Sequence, residues 1–181
     1  LPQVTAYHPF KKGAEYTNLT TRQILPLADN GFLILTEYAD TLPATETGAP
    51  PRLEFGYMMA SLVNSNMQVT ARHFIPKKQV SATVDYAFSC RAYAVGTQAY
   101  IFYNADWLAD EENNMNLVYT RVAPDGSEPL TQKVVNTSNE FYTRVAQLYA
   151  GQGNHVMFRE EKIVDFGDIT RQVKLLEITL K

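Results

Sequence analysis

The sequence contains a single cysteine, Cys90, which excludes an internal disulfide. Long apolar runs are missing. Stretches such as Ala99-Tyr100-Ile101-Phe102-Tyr103 fall far short of the roughly 20 residues that a membrane-spanning helix needs. A basic excess is missing too: 16 Lys and Arg stand against 19 Asp and Glu, giving a formal charge of −3. That balance argues against nucleic acid as the main partner. Histidine is scarce, and His8, His73 and His155 are scattered along the chain. There is no Gly-x-Ser-x-Gly elbow, no His-Glu-x-x-His and no Cys-x-x-Cys pair, so neither a nucleophilic triad nor a zinc site is expected. Each His reads as a surface residue or a hydrogen-bonded strand residue. Cys90, preceded by Ala87-Phe88-Ser89, reads as a small buried hydrophobe. The chain opens at Leu1-Pro2-Gln3 with neither an initiator Met nor a signal peptide, a start expected of a processed exported chain or of a trimmed one.

What is present is globular and rich in rings. Hydrophobic residues make up 45% of the chain and charged ones 19%, a balance that supports a core rather than disorder. The 11 Tyr and 9 Phe favour strands over helices. At 181 residues, one domain can bury a sizeable interior. The organising stretch is Leu25 to Glu37, where Asn30-Gly31 separates apolar runs and predicts a tight type I′ hairpin. The layout returns at Val95-Gly96-Thr97 before Ala99 to Tyr103, and again at Gly151-Gln152-Gly153 before Val156-Met157-Phe158.

Taken in order, Val4 to Tyr7 predicts a short strand stopped by His8-Pro9, and Lys11-Lys12-Gly13 a turn. Asn18-Leu19-Thr20 and Asn136-Thr137-Ser138 fit the N-glycosylation sequon, which matters only in a secreted eukaryotic protein. Tyr38 to Leu53, with Pro43, Pro50 and Pro51, predicts a long surface loop. Gly56 to Val63, the turn Asn64-Ser65-Asn66 and Met67 to Phe74 predict a second hairpin, with Met67, Val69 and Ala71 on its buried face. A second copy follows. It has a hairpin at Ala92 to Tyr103, a loop from Asn104 to Asn116, a strand to Val122, a Pro124-Asp125-Gly126 turn and a return strand at Leu130 to Val135. In the third copy Phe141, Val145 and Leu148 also fit helical spacing, with Ser138 as an N-cap. Val156 to Glu160, a charged loop Glu161 to Thr170 and a strand Val173 to Leu180 complete it, without a final outer strand.

The expected fold is all-β: antiparallel blade-like repeats at about 22–80, 86–136 and 141–181, a propeller segment whose ring is completed by further blades outside these residues or by the N-terminal strand and a partner chain. A β-sandwich is the competing fold. Pro26-Leu27-Ala28-Asp29-Asn30-Gly31-Phe32, Tyr100-Ile101-Phe102-Tyr103-Asn104 and Arg121-Val122-Ala123-Pro124-Asp125-Gly126 resemble repeat arrays in exported, propeller-like proteins of Bacteroidota. In that family a leu-x-asp-gly-gly-phe hairpin, a phe-phe-tyr-asn-asp strand and an asp-pro-asp-gly turn recur in this order. Ala123 stands where the family often has Asp. The resemblance spans about Arg22 to Lys181 and implies an exported chain at the periplasm or cell surface, a lipoprotein among the forms it allows. Asp40-Thr41-Leu42 looks like the short O-glycosylation motif of that phylum.

For chemistry, the densest cluster is Asp106-Trp107-Leu108-Ala109-Asp110-Glu111-Glu112-Asn113-Asn114. Its oxygens could hold Ca²⁺, although the spacing is not that of an EF-hand, and a solvated acidic loop is the plainer reading. Trp107 could present an apolar face to a sugar or a protein partner, or anchor its loop in the core. Asp106, Asp110, Glu111 and Glu160 offer the carboxylates that glycoside hydrolysis would need. The expectation is nevertheless a non-enzymatic scaffold or protein-binding module. Trp107, Asp106, Asp110, Glu111 and Glu112 are its candidate binding residues, and a glycan-binding or glycoside-acting protein is the alternative. No cofactor beyond Ca²⁺ is expected.

Overall fold

The computed structural model describes residues 18–44, 47, 51–81, 90–105, 116–125, 127, 129–133, 142–165 and 170–180. Every regular element among them is a strand, as the aromatic-rich composition leads one to expect. Three antiparallel sheets follow one another along the chain. The first runs β1 (Leu19–Pro26), β2 (Phe32–Leu42), β3 (Arg52–Val63) and β4 (Val69–Ile75), with a short β5 (Gln79–Ser81) also paired to β3. The second is β6 (Cys90–Val95), β7 (Gln98–Ala105), β8 (Asn116–Val122) and β9 (Leu130–Lys133). The third is β10 (Tyr142–Ala150), β11 (His155–Asp165) and β12 (Thr170–Thr179). Along the main path of each sheet spatial order follows chain order, and only β5 departs from it by pairing back onto β3 beyond the end of β4.

The middle sheet is buried on both faces. Cys90, Ala92, Ala99, Ile101 and Tyr103 turn toward the first sheet and meet Leu33, Leu35, Met58, Ala60, Leu62 and Ile75. Tyr100, Phe102 and Leu117 turn the other way and meet Val145, Val156, Phe158 and Leu180 of the third. Phe102 and Phe158 lie with ring centroids 4.9 Å apart, tilted as aromatic quadrupoles prefer. This two-sided burial explains why Tyr100 to Tyr103 reads as an unbroken apolar run and not as an alternation. The first strands meet along one side, β1 packing on β6 and β6 on β10.

The three recurring turns lie at one end of the stack. Ala28 donates its backbone N–H to the Gly96 carbonyl at 3.0 Å, and the Tyr93 hydroxyl reaches the Gly153 carbonyl at 3.0 Å. Their detail differs from the expected type I′ form. The first loop is longer: Leu27 N–H bonds the Gly31 carbonyl, Asp29 Oδ1 accepts from Gly31 N–H, and Asn30 alone carries a positive φ of 61°. Gly31 is needed for space, since a Cβ there would lie 2.5 Å from the Val63 carbonyl oxygen. Gly96, at φ 61°, is the left-handed residue of a true two-residue turn.

Four other expectations are corrected. Phe141 is outside the described residues, as is Ser138, and Tyr142–Ala150 is a strand rather than a helical turn. Between Thr143 and Leu148 the register with β11 slips, and this irregularity lets Val145 and Leu148, three apart, both pack on the second sheet. Met67 is 73% exposed in the β3–β4 turn with φ 64°, because Asn64 to Gln68 repeats the five-residue loop of Leu27 to Gly31. The predicted loop at Tyr38 to Leu53 is shorter, since Ala39 to Leu42 pair with Arg52 to Phe55 beyond a bulge. Glu161 to Asp165 likewise continue β11 against β12.

Candidate functional site

The sequence-predicted binding residues Asp106, Trp107, Asp110, Glu111 and Glu112 lie outside the described residues, as do Val4 to Tyr7 and the second sequon. The strand ends that flank the cluster are described, and Ala105 pairs with Asn116. The β7–β8 connection therefore springs from the end of the stack opposite the Gly96 turn. The β2–β3 connection after Leu42 leaves its sheet at the same end.

Below that end lies a polar belt that crosses all three sheets. It arises from one pattern on the second strand of each. Leu33, Leu35 and Glu37 on β2, Tyr100, Phe102 and Asn104 on β7, and Val156, Phe158 and Glu160 on β11 are all buried. Each is an apolar-x-apolar-x-polar series on one face of a strand. A buried charge or amide is costly unless paired, and the fold pairs each one. Glu37, fully enclosed, is met by Lys77 Nζ and by Arg22 Nε at 2.6 Å. A bulge at Thr21/Gln23 turns Arg22 inward, and both cations sit over the Phe55 ring, at 5.3 and 5.9 Å. Gln79 Nε2 donates to the Asn104 carbonyl at 2.7 Å, and Asn104 Nδ2 to the Thr143 carbonyl at 2.9 Å. Thr143 Oγ1 donates to Glu160 Oε1 at 3.1 Å, and Lys174 Nζ lies 2.9 Å from Glu160 Oε2. The five-residue series is present in the sequence, but nothing there distinguishes Glu37, Asn104 and Glu160 from solvent-facing strand residues.

The belt is closed chemistry. Glu160, one of the carboxylates considered for glycoside hydrolysis, is fully buried and held by Lys174 and Thr143, so a sugar oxygen has no path to it. His73 is buried in β4 rather than at the surface, and among the described residues its Nε2 meets no hydrogen-bond partner. Cys90 is buried, as expected for a small hydrophobe.

A second cluster lies on the outer face of the third sheet, in a concavity of about 380 Å³ lined by Gly151, Gln152, His155, Met157 and Glu177. His155 Nδ1 stands 3.1 Å from Glu177 Oε1 and 3.4 Å from Thr179 Oγ1. Both oxygens meet the same ring nitrogen. A catalytic relay needs the acid on one nitrogen and the nucleophile on the other, so this trio is not one. Around it the face carries exposed Tyr149, Val173 and Leu175. Among the described residues no group of three or more His, Cys, Asp or Glu could hold a metal.

Two phenols are perturbed. Burial raises the Tyr119 pKa above 10.0, and the neighbouring Tyr100 adds to the shift. Burial likewise raises that of Tyr38, helped by its hydrogen bond to Asp40. Asp125 is lowered by the backbone N–H of Ser127, the bond that shapes the predicted Asp-Gly turn. No helix among the described residues is long and apolar enough to cross a membrane. No family model, curated protein or solved structure matches this chain.

Proposed function

We propose that this chain is a non-enzymatic structural module: a propeller segment of an exported cell-envelope protein, acting as scaffold and as a surface for a protein partner. The observation that carries the reading is the middle sheet, covered on both faces by sheets of the same meander design. Stacked meanders whose first strands meet along one side are the arrangement of successive blades. A two-sheet sandwich leaves the third sheet unaccounted for. Among the described residues the enclosed polar groups hold the sheets together, which supports an architectural role.

Partner binding belongs to the connections at the far end from the hairpins, because loops carry recognition while sheets hold them in place. Alanine substitutions across 43–51 and 106–115 should abolish association with the partner in the envelope fraction while leaving the sheet content unchanged by circular dichroism. Association that survives both sets of substitutions overturns the reading. Glycan binding that is lost in Trp107→Ala favours the carbohydrate alternative instead.

A further inference from the structure

The loop between β1 and β2 carries reactive chemistry as well as shape. An asparagine side chain is an amide electrophile, and the backbone nitrogen of the next residue can attack it to close a cyclic imide. A side chain on that next residue shields the nitrogen, whereas glycine leaves it open. Of the asparagines in the chain, Asn30 alone precedes a glycine. The fold adds two features. Asn30 is exposed, and among the described residues its side-chain amide makes no hydrogen bond. The asparagines of the other turns are held. Asn64 Oδ1 accepts from the N–H groups of Asn66 and Gln68, each at 3.0 Å, and Asn154 Nδ2 donates to the Leu180 carbonyl at 2.6 Å. The second feature is Asp29. Its Oδ1 accepts the Gly31 N–H at 3.1 Å, which puts a carboxylate within reach of the proton that must leave when the Gly31 nitrogen attacks.

We propose that Asn30 is a self-modification site, at which the loop converts its own asparagine to aspartate and isoaspartate. The Gly31 nitrogen bonds to Asn30 Cγ while Asp29 takes its proton. The tetrahedral carbon then expels the side-chain nitrogen, which receives that proton and leaves as ammonia, and the cyclic imide remains. Water adds to either imide carbonyl and opens the ring. Opening at Cγ leaves aspartate. Opening at the main-chain carbonyl routes the backbone through Cβ and Cγ and leaves isoaspartate. The loop has little room for that longer backbone. Leu27 N–H closes it on the Gly31 carbonyl at 2.9 Å, and Gly31 lies against the Val63 carbonyl with no space for a Cβ. Ala28 N–H carries the bond to Gly96 of the second sheet. Conversion therefore loosens the tie between the first two sheets at the hairpin end. The inference concerns no partner, so it stands or falls apart from the scaffold reading.

Purified protein held at mildly alkaline pH and mapped by peptide mass spectrometry should gain acid at Asn30 before it does at Asn64 or Asn154. Part of that product should be isoaspartyl by methyltransferase labelling. Asp29→Ser keeps an oxygen to accept the Gly31 N–H but removes the base, and it should slow conversion in the folded chain roughly tenfold. In urea, where the loop contact is gone, wild type and Asp29→Ser should convert at equal rates. Asn30→Gly suits the positive φ of 61° and lacks the amide. Its unfolding midpoint should hold steady over the incubation while that of the wild type falls. A folded protein whose Asn30 stays intact overturns the proposal. So do equal folded-state rates for wild type and Asp29→Ser, a slowing by Asp29→Ser that persists in urea, or a wild-type midpoint that does not move as Asn30 converts.

Discussion

Replacing Lys77 by Met keeps most of the stem and removes the ammonium that meets Glu37. Both side chains are fully enclosed, and Arg22, the other cation on Glu37, is 25% exposed. Breaking a buried pair by removing one partner typically costs about 3–5 kcal/mol, because the remaining charge is left without compensation. Arg22 stays in place at 2.6 Å and offsets part of that, so the cost should be about 3 kcal/mol. With a urea dependence of about 2 kcal/mol per molar for a domain of this size, the unfolding midpoint should fall by roughly 1.5 M. The double variant Glu37→Leu/Lys77→Met removes both charges and should be more stable than Lys77→Met alone. Equilibrium urea unfolding followed by tyrosine fluorescence and circular dichroism measures both. A midpoint shift under about 0.5 M for Lys77→Met, or a double variant less stable than the single one, would refute the view that Glu37 depends on this cation.

Three further outcomes are expected. Met67 occupies the left-handed region at φ 64° with its side chain in solvent, so Met67→Gly should raise stability by roughly 0.5–1 kcal/mol in the same assay; a loss would mean the side chain is needed. Gly31→Ala places a methyl 2.5 Å from the Val63 carbonyl oxygen and should cost about 3 kcal/mol, while Gly96→Ala, with open space but φ 61°, should cost about 1 kcal/mol. Equal losses at the two would contradict the assignment of space to one and conformation to the other. Burial beside Tyr100 raises the Tyr119 phenol above 10.0, so the folded chain favours its neutral form. The stability this gives is complete below pH 10 and is lost as pH climbs through the folded value. Tyr119→Phe should therefore lose stability less steeply above pH 10, and identical slopes would refute the assignment.

The strands were legible where the chain alternates or runs apolar between turn residues. Asn30-Gly31, Gly96-Thr97 and Gly151-Gln152-Gly153 marked the three aligned hairpins, because left-handed backbone restricts the residue type. Their exact form was not legible, since the tight approach of Val63 to Gly31 comes from a strand more than thirty positions away. Val145 and Leu148 imitated helical spacing because an irregular register puts residues three apart on one face. Met67 looked like a strand residue because side-chain character alone does not reveal a loop that five residues close by hydrogen bonding. The candidate site divides in the same way. The belt residues Glu37, Asn104 and Glu160 each end the same apolar-x-apolar-x-polar series, but their meaning depends on Lys77, Gln79 and Lys174, which lie outside those series. The Trp107 cluster, the clearest local concentration of chemistry in the sequence, lies outside the described residues.

Native mass spectrometry of the protein isolated from its source tests the scaffold reading most directly. Assemblies heavier than the 20.4 kDa chain, containing a partner or a second copy, are expected. A population found entirely as a free monomer of that mass would contradict it.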